Sequence, residues 1–152
     1  MNGYSITSGT SAVALSAATA KTILGVVAAS NVAARLTEFG VSFDGVTASA
    51  VPVLVELCDS TGATAGTAGA TPTPKQIRGM TRAAQSTAGN AYSAEPTTLT
   101  VIKQWLVHAQ TGMVVQSPLG REPEHTGAGG LFIRVTAPAT VNVRAYMEFE
   151  EG

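Results

Sequence analysis

The residues best suited to chemistry lie in one short loop. Arg121-Glu-Pro-Glu-His125 gathers Glu122, Glu124 and His125, two carboxylates and an imidazole of the kind that hold a metal ion or move a proton. The spacing matches no recognised ligand pattern, because two carboxylates and one His in a loop lack the convergent set a metal requires. The loop therefore reads as a solvated or interface loop. The other histidine, His108, is in antiphase to Trp105 and Val107 and reads as a satisfied or exposed strand residue. The single cysteine, Cys58, is in antiphase to Val51, Val53, Val55 and Leu57. It has no basic neighbour to lower its pKa, so it reads as a small buried apolar residue. No Gly-x-Ser-x-Gly elbow occurs, and Gly127-Ala-Gly-Gly130 lacks the Lys and Ser/Thr of a phosphate loop. The expectation is no catalytic, metal or cofactor-binding residue, and no enzyme.

Charge is sparse and uneven. Only 12% of residues are charged, against about 25% in typical soluble domains, and the net charge is −1. A weakly charged surface resists self-association poorly, which favours a component of an assembly. Lys75, Arg78 and Arg82 form a basic cluster in a stretch with no carboxylate between Asp59 and Glu95, while Glu148, Glu150 and Glu151 make the C-terminus acidic. Nucleic-acid binding needs a stronger basic stripe with aromatic platforms, so no nucleic-acid partner is expected. A contact between the basic loop and the acidic edge of a neighbouring subunit fits better. The apolar runs fall well short of the roughly 20 residues that span a bilayer. The first residues lack the basic and apolar regions of a signal peptide. Cytoplasmic synthesis and no membrane partner are expected.

The elements that must position these residues are strands. From Val141 to Phe149 the apolar residues Val141, Val143, Ala145, Met147 and Phe149 alternate with Asn142, Arg144, Tyr146 and Glu148. That period of two predicts a half-buried antiparallel strand. Further strands are predicted at Leu131–Ala137, Lys21–Ala29, Arg35–Phe43, Val51–Leu57, Thr98–Ala109 and Met113–Gln116, with a short one at Ser11–Ser16. Residues 60–94 are rich in Ala, Gly, Ser, Thr and Pro, and read as a long irregular excursion with one short strand near Gln76–Arg78. The count, roughly eight strands in 152 residues, predicts an all-β antiparallel sandwich in one domain. Residues 1–19 are expected as an N-terminal arm with a first short strand, and residues 20–152 as the domain itself.

Several stretches resemble the small single-domain decoration, or cement, proteins of tailed-phage capsids. They are Phe39-Gly-Val-Ser-Phe-Asp-Gly45, Thr73-Pro-Lys75, Pro118-Leu-Gly-Arg-Glu-Pro123, and Gly129-Gly-Leu-Phe-Ile-Arg-Val-Thr-Ala-Pro138 with the closing strand. The resemblance implies a jelly-roll topology, chosen over an immunoglobulin-like sandwich. It also implies a virion protein on the outside of an assembled icosahedral shell. Such a protein bridges neighbouring major capsid subunits and often assembles as a homotrimer. The irregular parts then make the contacts: the arm with Met1, Asn2, Tyr4 and Ile6, the excursion with Arg78 and Arg82, and the loop with Arg121, Glu122 and His125. Arg78 and Arg121 are the expected donors of charge-assisted hydrogen bonds to a neighbour. The alternatives are a tail or neck component and a receptor- or carbohydrate-binding module. Against the binding module, aromatic content is 5% and Trp105 has a core-facing phase.

Overall fold

The alternation at the C-terminus is realised residue for residue. In the computed structural model, which describes residues 1–48, 50–61 and 66–152, Val141, Val143, Ala145, Met147 and Phe149 are buried and the residues between them face outward. The strands in chain order are β1 (Asn2–Thr7), β2 (Val13–Leu15), β3 (Ala20–Val27), β4 (Ala33–Phe43), β5 (Val53–Ser60) and β6 (Lys75–Arg78). They continue with β7 (Thr87–Asn90), β8 (Leu99–Val107), β9 (Gly112–Gln116), β10 (Glu124–Thr126), β11 (Gly130–Thr136) and β12 (Val141–Glu151). No helix occurs among the described residues.

Two antiparallel sheets pack face to face. In the first, β4 and β12 are central, β9 and β10 share the free edge of β4, β1 and β2 share the free edge of β12, and β6 extends β1. The second has the order β7-β3-β11-β5-β8. The pairings nest: β1 and β2 pair with β12, β3 with β11, β4 with β9 and β10, and β5 with β8. The early strands thus meet the late ones. The eight expected strand positions are all present. The larger observed number arises because β1 and β10 share sheet edges with β2 and β9, and because β6, the short strand expected near Gln76–Arg78, and β7 extend the sheets.

The core lies between the sheets. Tyr4, Phe39 and Phe149 fill it from the first sheet, and Leu24, Leu57, Leu131 and Ile133 from the second. Each such side chain contributes about 1.5–3 kcal/mol through burial. Tyr4 and Phe149 stack at 5.6 Å, and Trp105 meets Phe39 edge-on at 5.5 Å. One bulge reconciles a phase conflict in β4, where Leu36 and Phe39 are both buried although an odd number of positions separates them. The pairing passes from Glu148↔Glu38 to Phe149↔Leu36, leaving Thr37 unopposed, and the Thr37 hydroxyl donates to the Glu148 carbonyl at 3.0 Å. An extra residue on one strand turns its phase over.

Two expectations about the irregular parts are corrected. The N-terminal arm is β1, inserted between β12 and β6, with Tyr4 opposite Phe149 and Ile6 opposite Met147. Tyr4 and Ile6 alternate with Gly3, Ser5 and Thr7, so the segment buries its apolar face in the sheet. The sandwich therefore starts at Asn2, and the division at residue 19 is no structural boundary.

The excursion is likewise built onto the fold. β6, expected near Gln76–Arg78, lengthens the first sheet, and β7, not expected, lengthens the second. Residues 66–70 and 91–98 lie over the outer face of the second sheet, where Tyr92, Phe132 and Cys58 make a small second core with Ala68 and Leu99. The Phe132 ring rests on Gly25, where a Cβ would come within 2.2 Å of it. Two carboxylates clamp this excursion, which forms a strap along the second sheet: Glu151 accepts from Ser86 N (2.6 Å) and Gln85 N (3.0 Å), and Glu95 accepts from Thr22 N (2.7 Å) and from the Thr22 hydroxyl. Residues 62–65, part of the low-complexity run, lie outside the described residues.

Candidate interaction surface

The loop that gathers Glu122, Glu124 and His125 in sequence disperses them in space. Glu124 and His125 are neighbours on β10, so their side chains leave on opposite sides. Glu124 takes both Nε (2.9 Å) and Nη2 (2.7 Å) of Arg35 on one oxygen, and this pairing raises the Arg35 pKa further. His125 turns inward, with Nδ1 2.6 Å from Asp59 Oδ1, an oxygen that has no other partner among the described residues. Its ring lies over Gly129, where a Cβ would meet Nε2 at 1.8 Å. Of the solvated or interface loop expected here, the solvated reading fails at His125, because β10 pairs with β4 and holds the imidazole against Asp59.

The other chemically able groups are also tied to the fold. Burial, the dominant effect, pushes the Cys58 thiol up to about 11, with the nearby Arg134 opposing more weakly. His108 Nδ1 accepts from Gln110 N at 3.2 Å and Nε2 lies 3.1 Å from the Ala48 carbonyl, which fixes the loop after β4. Arg78 forms an ion pair with Glu150. The contact of basic loop with acidic edge, expected between subunits, is thus made within the chain, because β6 lies beside β1 and β1 beside β12. Arg82 serves through its backbone, accepting from the Tyr4 hydroxyl at 3.0 Å. Asn2 accepts from Met80 N at 3.2 Å. Met1 and Arg121 remain exposed, Arg121 in a turn whose N–H donates to Pro118 O at 2.9 Å.

What stays open is one sheet face and the two ends. The strap covers the outer face of the second sheet around Cys58 and Phe132 and leaves β8 exposed, while the outer face of the first sheet is bare. Its centre is organised by Tyr146, whose ring lies across Gly40 and whose hydroxyl donates to Glu38. Gln116 Nε2 donates to the other Glu38 oxygen at 2.6 Å. These two bonds hold the Glu38 carboxyl below its ordinary value, and desolvation together with Glu38 pushes the Tyr146 phenol up to about 12. Beside this ridge is a depression of about 490 Å³, bordered by Thr7, Gly40, Ser42, Gly112, Val114 and Arg144.

The ends carry most of the exposed large apolar residues; Val101, Ile102 and Val114 lie on the strands between them. At the end bearing the 44–52 and 108–111 connections, Val46, Val51 and Leu106 face solvent, Val46 being 87% exposed. At the opposite end Ile77, Met80 and Leu119 do so, Leu119 being 96% exposed. Ile77 and Leu119 flank a groove of about 440 Å³ with Glu122, Glu148 and Glu150. Sequence reasoning missed these residues. The available signals were Leu106, out of phase with Val107, and Leu119, an apolar residue set between Pro118 and Gly120. This arrangement suits contact with other surfaces. No protein-family model, curated protein or solved structure matches this chain.

Proposed function

We propose that this chain is a structural protein of a virion. It sits on the outer surface of an assembled icosahedral phage shell and bridges neighbouring major capsid subunits. The observation that carries this reading is the pair of apolar ends on one rigid body. Val46, Val51 and Leu106 lie at one end and Ile77, Met80 and Leu119 at the other. Strand β12 has 11 residues, so the ends stand roughly 35 Å apart at about 3.4 Å per residue. Two weak contacts on such a body become strong together, because the second forms at high effective concentration. Ligands that bind only the assembled shell stabilise it by mass action. The pairing of early with late strands in two packed antiparallel sheets supports a jelly-roll reading, the topology that the resemblance implies.

The test is binding to purified shells stripped of this protein. The unaltered chain should bind in a fixed ratio near one per major capsid subunit and raise the temperature at which shells break. Val46→Asp with Leu106→Asp, or Leu119→Asp alone, should each lower occupancy by about tenfold or more, since one remaining contact gains no avidity. Binding of both variants at the unaltered level would dismiss the bridging reading, as would a ratio of only a few copies per particle.

A further inference from the structure

The bare face of the first sheet has a pattern that matches itself when turned over. Its outward side chains form three rows across the strands. The middle row is Val114, Gly40, Tyr146 and Thr7, as the pairings Val114↔Gly40, Gly40↔Tyr146 and Tyr146↔Thr7 dictate. On one side lies the row Gln116, Glu38, Glu148, Ser5 and Lys75, and on the other the row Gly112, Ser42, Arg144. The first flanking row carries long side chains and is acidic at its centre, at Glu38 and Glu148, with Lys75 at its far end on β6. The second is short, with one cation, and borders the depression of about 490 Å³. Neither Arg144 nor Glu148 has an ion-pair partner among the described residues, and Val114 is 61% exposed.

We infer that two copies of this chain pack through these faces about a two-fold axis that lies along the middle row. The geometry of a two-fold contact is that residue i meets j and j meets i. On this axis Arg144 of one copy faces Glu148 of the second, twice. Ser42 faces Glu38, placing a hydroxyl donor against a carboxylate oxygen. Gly112 faces Gln116, so the ridge of each copy enters the depression of the other. Val114 and Tyr146 meet their own equivalents at the centre. Charge and shape both select a second copy as the occupant, since complementary features stand at equal distances on either side of one row. Four strand positions about 4.8 Å apart, and about nine residues of strand at 3.4 Å, give a face of roughly 600 Å². That is the lower end for a specific contact, so a weak, reversible dimer is expected. Glu148 also lines the groove between Ile77 and Leu119, whereas Arg144 does not, so Arg144→Glu is the variant that tests this contact apart from the shell reading.

The experiment is sedimentation of the purified protein over a range of concentration, with circular dichroism to verify folding. The unaltered chain should show a monomer–dimer equilibrium. Arg144→Glu and Glu148→Arg should each weaken it by about tenfold or more, because symmetry sets like charges together twice. The double variant Arg144→Glu/Glu148→Arg recreates both pairs with the signs exchanged and should restore the dimer. A Val114→Cys variant treated with a short bis-maleimide should give covalent dimers. Failure of the double variant to dimerise better than either single one overturns the inference. So does a monomer at all concentrations, or an oligomer that both single variants leave intact.

Discussion

Glu151 closes the sheet and holds the strap with one carboxylate. Its side chain lies on the buried phase of β12, and its Oε1 accepts from Ser86 N at 2.6 Å while Oε2 accepts from Gln85 N. Removing it leaves two backbone donors without their acceptor in a largely dry place. Glu151→Ala should cost about 1–3 kcal/mol of unfolding free energy. Hydrogen exchange at Ser86 should speed up more than exchange in β11, since the strap opens before the core does. Equal protection at Ser86 in both proteins would refute the clamp.

Tyr146 and Gly40 are matched by absence of a side chain. A Cβ at residue 40 would stand 2.3 Å from Cε1 of the ring. Gly40→Ala should therefore displace the ring and cost about 1–3 kcal/mol, as overpacking does. It should also loosen the bond to Glu38. Spectroscopic titration of the Tyr146 phenol, at about 12 in the folded chain, should then shift toward its ordinary value of 10. An unchanged titration would mean that the ring does not depend on Gly40.

The same pair of groups sets pH dependence at both extremes. The folded Tyr146 phenol holds its proton more tightly than the unfolded one, so its share of stability is full below pH 10 and fades between about 10 and 12. Glu38 is the opposite: its carboxyl is lowered in the folded chain, so its share is full above the ordinary value of 4.5 and fades as pH falls below it. Denaturation midpoints across pH should show both losses. In Glu38→Gln the acid loss should shrink, because the titrating group is gone.

Cys58 should be inert. Its thiol is buried and lies at about 11, so almost no thiolate exists near neutral pH. A disulfide reagent should leave the native protein unlabelled and react promptly after denaturant is added. Rapid native labelling would show that the second core under the strap opens readily.

β1 is a structural strand, and truncation tests that. Deleting residues 2–7 removes Tyr4 and Ile6 from the core and uncovers Met147 and Phe149. The shortened chain should lose its cooperative melting. Met147→Asp, which places an unpaired charge where the side chain is 0% exposed, should do the same. A shortened chain that melts like the full one would restore the arm.

The legible parts of the fold were those where one face is apolar and the other polar. β12, β9 and β5 announce themselves by alternation, and Cys58 by its phase. β1 was hidden because Gly3, Ser5 and Thr7 give a polar reading to a segment whose buried face has only Tyr4 and Ile6. β7 was hidden because Thr87-Ala-Gly-Asn90 carries no pattern at all: its pairing with β3 comes from backbone bonds and from the Glu151 clamp next to it. Arg78 and Glu150 were recognised as opposite charges, but only the pairing β6–β1–β12 places them in one molecule. The contact residues were least legible, since exposure of Leu106 or Leu119 depends on where an edge or a turn falls.

The nested pairing has a consequence for synthesis. Asn2 pairs with Glu151, and β3, among the first strands made, waits for β11. Neither sheet can close until β11 and β12 have been made, because β3 pairs with β11 and β1 with β12. The fold should then form in one concerted and comparatively slow step, as expected of folds dominated by distant contacts. Until then its apolar β1 and β3 segments are open to other chains, which makes crowding at high expression the hazard this topology must survive.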